Sequence, residues 1–238
     1  DSTDNTRKQC QQWAEQHPDK ITLLPLVSNM GIFKNANRVF EACLSSGAEY
    51  IALLEGDDFW TDERKLQKQV NLLTAHPHAA GSFHNTVIER KDGTKEIMFP
   101  KLKTVINQEN AISKYSPFHT SSFIFKSKYY CRPEWFNQID SIDLALYTLY
   151  AQYGDLVGID TCMSQYRLHD GGHTSSTSHL HHFHWKRILL HTFLKGKIQI
   201  NFLKKYKGLI DFHRSEKKSI DPSERLPPLI AFLSPSMG

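Results

Sequence analysis

At 238 residues, 39% hydrophobic and 23% charged, the chain is long enough for a large domain with a real hydrophobic core, and its composition excludes a disordered or fibrous protein. A formal net charge of +4 is too small and too dispersed to argue for a nucleic-acid partner. No run approaches the roughly eighteen uncharged apolar residues of a membrane-spanning helix, and four scattered cysteines without CxxC spacing read as reduced thiols of an intracellular protein.

In chain order, a polar helix is expected from Arg7 to Gln16, stopped by His17-Pro18. Ile21 to Leu24 reads as a short strand, and Asn29-Met30-Gly31 as a turn. Ala36, Val39, Phe40, Cys43 and Leu44 recur at helical spacing up to Gly47. Tyr50 to Leu54 is a continuous apolar run of the kind buried on both faces of a sheet, and it stops at Glu55-Gly56-Asp57-Asp58. Thr61 or Asp62 can cap a helix carrying Leu66, Val70 and Leu73. Strand and helix alternating in this way predict an α/β layer with a parallel sheet.

Residues 82–99 read as a hairpin turning at Lys91-Asp92-Gly93. Asn107 to Tyr115 and Ser141 to Tyr153 read as helices, and Ser122 to Phe125 and Leu156 to Ile159 as strands. Two Lys-, His- and aromatic-rich helices are expected between His179 and Ile210. A proline-bearing tail from Ser219 on reads as loose.

The segment richest in chemistry is Leu53-Leu54-Glu55-Gly56-Asp57-Asp58-Phe59-Trp60. Ligands of open α/β sheets bind beyond the carboxyl ends of the strands, where this acidic turn falls. Adjacent carboxylates repel, so a site that gathers them expects a cation, and oxygen ligands suit Mg²⁺ or Mn²⁺ with phosphate oxygens as co-ligands. The alternative is a solvated turn between strand and helix.

Glu55 to Asp62, followed by Lys65-Leu66-Gln67-Lys68-Gln69-Val70, resembles a family 2 glycosyltransferase of the GT-A fold. So do Asp1 to Thr6, Asn29-Met30-Gly31 and Asn35-Ala36-Asn37 upstream. Downstream, Tyr166-Arg167-Leu168-His169 with Gly171-Gly172 is similar to the family's closing element. The resemblance covers residues 1–178. It implies a Rossmann-like, mostly parallel mixed sheet flanked by helices; beyond it the residues themselves read as a helical appendage over 179–218 and a flexible tail over 219–238. It also implies that the first βα unit and the strand before Asp1 are missing from the sequence.

By the same resemblance, a sugar moves from a nucleotide-diphosphate donor, a uridine diphosphate sugar being the expectation, to an acceptor hydroxyl with inversion. Asp58 is the implied metal ligand for Mn²⁺ or Mg²⁺. Asp57 contacts ribose or supports the metal, and His169 offers an imidazole to the metal or the diphosphate. Asp1 faces the nucleotide base, Asn35 and Asn37 line the same pocket, and Arg167 pairs with phosphate oxygens. Glu55 stands where the family often has Asp, and its role is open. The base is an acid at the start of the helix before Tyr166: Asp143, with Asp140 its rival. Acids there also serve as helix caps.

His119 and the Thr-Ser-Ser after it are candidates for the acceptor side, and His84-Asn85 for the crevice or a structural bond. The run of histidines from His173 to His184 fits no zinc spacing. The basic, aromatic stretch from Trp185 to Lys207 suits either an exposed helix pair or peripheral contact with an anionic membrane, at the cytoplasmic face. A glycan or lipid-linked acceptor in bacterial cell-surface polysaccharide or lipopolysaccharide synthesis is the implied setting. A sugar-phosphate nucleotidyltransferase and a non-catalytic sugar-nucleotide-binding fragment are the alternatives.

Overall fold

The computed structural model describes residues 4–24, 30–113, 116–130 and 142–169. Asp1, Asp140, the histidine-rich run, the basic helices and the tail lie outside them. The chain divides into two units, Asp1–Ile51 and Ala52–Gly238.

In the first unit, helix α1 (Thr6–Gln16) ends at His17, whose backbone N–H returns to the Trp13 carbonyl, with Pro18 next in sequence. Ile21 to Leu24 form no strand. The three residues Ile21 to Leu23 are exposed and Pro25 follows, so the run has neither burial nor a continuing N–H donor to hold it in a ladder. Helix α2 (Gly31–Ser45) starts a turn earlier than expected, at Gly31 in the left-handed region with φ 78°. The unit ends at Ile51, the buried middle residue of strand β1 (Tyr50–Ala52).

The second unit is built on a mixed sheet. Strand β3 (Gly81–Glu89) runs parallel to β7 (Leu156–Arg167) over almost its whole length, and their last pairs are Ile88 with Tyr166 and Glu89 with Arg167. The other pairings described in this unit are antiparallel. Strand β2 (Phe59–Trp60) lies against Gln165 and Ser164 of β7, and β6 (Ile124–Lys126) lies against the start of β3. Strand β4 (Lys95–Ile97) folds back on β3 around Gly93, whose φ of 82° completes the expected turn, and β5 (Val105–Ile106) lines the start of β7.

Strand β7 is three times longer than its apolar start suggests. Its second half is held by β2 and β3, which supply ladder partners to polar residues that carry no strand signature of their own.

Helix α4 (Gln108–Ser113) follows β5. Helix α5 (Ile142–Tyr150) is apolar on every side and is buried from Leu144 to Tyr150, as an all-round hydrophobic helix must be. It packs into an aromatic cluster. Phe118 stacks on Phe83 and is tilted against Tyr147, with ring centroids 4.2 Å apart in each case, and Phe125 meets Tyr150 at 4.5 Å. Such pairs contribute about 0.5–1.5 kcal/mol each beyond their buried area.

Helix α3 (Lys65–Ala75) departs from its apolar stripe. Leu66 is exposed, and the buried face is Lys65, Gln69 and Leu73. The Gln69 amide donates to Ser82 Oγ at 3.2 Å and to the Ser122 carbonyl at 2.9 Å, so the polar face is recruited by groups that would otherwise be buried unpaired. Lys65 Nζ lies 4.1 Å from the Trp60 ring centroid, has no hydrogen-bond partner, and is pulled down by burial to a pKa of about 7.

An unfolded lysine holds its proton to about pH 10.4, so between pH 7 and 10 the unfolded chain binds more protons than the folded one. Stability therefore rises with pH across that window, and Lys65→Met should abolish the rise while leaving stability at pH 7 equal or higher. Urea unfolding of both proteins at pH 7 and pH 9 checks this. Equal slopes for the two would refute it.

Candidate active site

The site grows from the turn after β1. Leu53 donates its N–H to the Phe123 carbonyl, the chain turns with Asp58 N–H on the Glu55 carbonyl, and β2 then pairs with the far half of β7. This pairing brings the end of β7 under the acidic turn. Arg167 donates its backbone N–H to Asp58 Oδ1 at 3.3 Å and its Nε to the Asp57 carbonyl at 2.6 Å. His169 Nε2 lies 3.0 Å from Asp57 Oδ2. The turn and the closing element, distant in sequence, are one structure.

The two aspartates differ in environment. The Asp57 side chain is half-exposed, and its bond to His169 holds its carboxyl below the usual carboxylate range. The Asp58 side chain is 1% exposed, and burial, opposed by the Arg167 N–H, pushes its pKa up to about 6. Its Oδ2 is buried and without a hydrogen-bond partner. Glu55 is exposed as a residue, yet its carboxyl is shielded from water and faces Asp58, Asp143 and Asp57 in that order of influence, which raises its pKa to about 7.

His119 completes the group. It caps the short 3-10 turn Thr120–Ser122 before β6, with Nδ1 3.7 Å from Asp58 Oδ2 and the ring 4.5 Å from that of Tyr166. Burial pulls its pKa to about 4, so the imidazole is neutral at physiological pH and its contact with Asp58 is not an ion pair. One donor atom each of Glu55, Asp58 and His119 lie within 4.8 Å of one another. A single cation with bonds of about 2.0–2.6 Å spans that distance.

The orphaned Asp58 oxygen and the carboxylate–imidazole donor set fit a divalent metal such as Mn²⁺ or Mg²⁺. Sequence reasoning singled out Asp58 for such a site but left Glu55 open and placed His119 on the acceptor side. The available signal was the His-Thr-Ser-Ser run just before a strand.

Asp143 lies in the first turn of α5, and its charge raises the pKa of both Glu55 and Tyr147. The helix N-terminus is therefore close to the acidic turn. Gly56, Asp57, Glu89, Arg90, Arg167 and His169 line a cleft of about 510 Å³ beyond the carboxyl ends of β3 and β7. Asn35 is exposed and Asn37 half-buried, both within α2 of the first unit. His84 is fully buried, its Nδ1 on the Asn85 carbonyl at 2.7 Å. Among the described residues no helix is long and apolar enough to cross a membrane.

Comparison with known proteins bears on the family and the fold. The profile of Glycosyl transferase family 2 matches residues 1–132. The uncharacterized proteins Rv1520 of Mycobacterium tuberculosis and Mb1547 of Mycobacterium bovis are each 30% identical over 176 residues, covering 72% of this chain and 49% of theirs. The chain thus spans about half the length of these relatives.

The crystal structure of S. aureus TarS 1–349 in complex with UDP-GlcNAc is similar with a TM-score of 0.57 at 17% identity, over 94% of this chain and 66% of that one. This similarity supports a GT-A-like mixed α/β sheet flanked by helices. From the profile match over more than half its length, the chain belongs to glycosyltransferase family 2.

Proposed function

We propose that this chain carries the donor and catalytic site of an inverting glycosyltransferase that moves a sugar from a nucleotide-diphosphate donor to a hydroxyl of a glycan or lipid-linked acceptor. The observation that carries the reading is the buried, unpartnered Asp58 oxygen at the head of an acidic turn, in a chain of this family. A uridine diphosphate sugar is the donor class favoured by the UDP-GlcNAc bound to the TarS neighbour. The mycobacterial relatives and the staphylococcal neighbour favour a bacterial setting, and synthesis of surface glycans is the part of the reading that the family resemblance adds.

Asp58 would hold the divalent cation, Mn²⁺ or Mg²⁺, which when bound offsets the negative charge growing on the departing diphosphate. Arg167 braces the acidic turn through the Asp57 carbonyl and offers its guanidinium to phosphate oxygens. Asp57 and His169, held to one another, line the cleft beside it. Asp143 accepts the proton of the acceptor hydroxyl, with Asp140 as the rival acid. The helix N-terminus favours its ionised form, the form a base needs.

The test is release of nucleoside diphosphate from labelled UDP-GlcNAc with and without Mn²⁺. Metal-dependent release of UDP is expected. Pyrophosphate as the product would favour a nucleotidyltransferase instead. Binding without turnover would leave a sugar-nucleotide-binding protein.

A further inference from the structure

We propose that His119, with Glu55, completes the cation site around Asp58, and that a buried chain of hydroxyls holds the His119 ring in place; this rests on the metal-dependent reading above. Three observations converge on it. The donor atoms of Glu55, Asp58 and His119 form the group of described residues close enough to share one ion. Asp58 Oδ2, in a side chain 1% exposed, points to the His119 ring at 3.7 Å and has no hydrogen-bond partner. The His119 side chain is itself only 13% exposed, so the ring stands beside that oxygen with little water to compete.

The ring is held through Nδ1, the nitrogen that also faces Asp58, so Nε2 is the atom it would offer a cation. His119 Nδ1 lies 2.9 Å from Ser121 Oγ, Ser121 Oγ donates to Ser164 Oγ at 3.0 Å, and Ser164 Oγ lies 3.0 Å from Thr86 Oγ1. This chain ties the 3-10 turn to β7 and to β3. The backbone of the same turn is pinned by Trp60 Nε1 on the Ser121 carbonyl and by the Gln69 amide on the Ser122 carbonyl, both at 2.9 Å. Ser122 Oγ donates to the His119 carbonyl at 2.6 Å. Outer partners of this kind orient metal-binding imidazoles, and their loss costs about 10–100-fold in metal affinity.

His169, the imidazole suggested by sequence, is placed otherwise. Its ring is 45% exposed and bound to the outer aspartate, Asp57, rather than to the buried oxygen of Asp58. The geometry suits it to the cleft.

Mn²⁺ itself is the probe. Binding is measured by the loss of the free-ion electron paramagnetic resonance signal, and pulsed measurements on the bound ion detect imidazole nitrogen. The wild-type chain should bind Mn²⁺ with a nitrogen signal. His119→Gln, which keeps a polar side chain in the turn, should weaken binding at least about tenfold and lose that signal. Ser121→Ala should weaken binding about tenfold with the nitrogen signal retained, whereas His169→Ala should keep both within about twofold.

Circular dichroism of each variant verifies the fold. A nitrogen signal that survives in His119→Gln and vanishes in His169→Ala overturns the assignment. If Asp58→Asn abolishes binding but His119→Gln leaves it intact, the assignment of His119 fails and the metal-dependent reading stands. No Mn²⁺ binding by the wild type overturns both.

Discussion

Asp58→Asn is expected to lower metal-dependent sugar transfer at least about a thousandfold, roughly 4 kcal/mol of lost transition-state stabilisation, while the fold is kept. The amide is isosteric with the carboxyl and can still accept the Arg167 N–H through its oxygen, so the turn after β1 retains its anchor. What it loses is the charge and the second oxygen, the one that is buried and unpaired. The amide nitrogen takes over the unpaired position, but the substitution removes a buried charge whose desolvation holds the Asp58 pKa up at about 6, so thermal stability should be equal or slightly higher without metal.

The combination distinguishes a ligand from a structural acid. A structural Asp58 would lose stability and activity together. Nucleoside diphosphate release against Mn²⁺ concentration, together with a melting curve, measures both, and a variant that kept the wild-type rate would refute the role.

Asp143→Asn should reduce turnover by about a hundredfold to ten-thousandfold, the usual range for loss of a general base, with little change in the donor KM. The expectation follows from position. Asp143 stands at the start of α5, close enough to the acidic turn to raise the Glu55 carboxyl and the Tyr147 hydroxyl, and it is neither of the acids whose oxygens sit against Arg167 or His169. Helix α5 itself is buried from Leu144 onward, so the first turn is the part of this helix that can present a carboxylate to a substrate. Asp140→Asn provides the comparison. A larger loss of turnover in that variant would transfer the role to Asp140, and unchanged turnover in both would remove the helix start from the reaction.

Much of the local architecture was legible in the sequence because the signals are local. His17-Pro18 ends α1, Lys91-Asp92-Gly93 turns the β3–β4 hairpin, and the unbroken apolar run of α5 requires burial on all sides. The acidic turn stood out for a similar reason, since like charges placed together after an apolar run need an explanation within the turn itself.

Other features depend on partners far along the chain. The polar half of β7 is a strand because β2 and β3 offer it ladders, and Ile21 to Leu24, apolar as they are, form none. Helix α3 buries Gln69 rather than Leu66 because Ser82 and the Ser122 carbonyl offer its amide partners, and Lys65, one turn away, is carried in with it against the Trp60 ring.

By itself, then, the sequence determined the α/β character of the chain, its family resemblance and the acidic turn as a place for a cation, since each follows from the order of neighbouring residues. Tertiary structure alone decided that Asp57 and Asp58 face different surroundings, one toward His169 in the open cleft and one toward His119 in the interior. Side chains from the turn, from the segment before β6 and from the end of β7 meet because β3 and β7 pair in parallel and β2 returns along β7. Burial and charge at that meeting point are properties of the packed sheet, which no single stretch of the chain encodes.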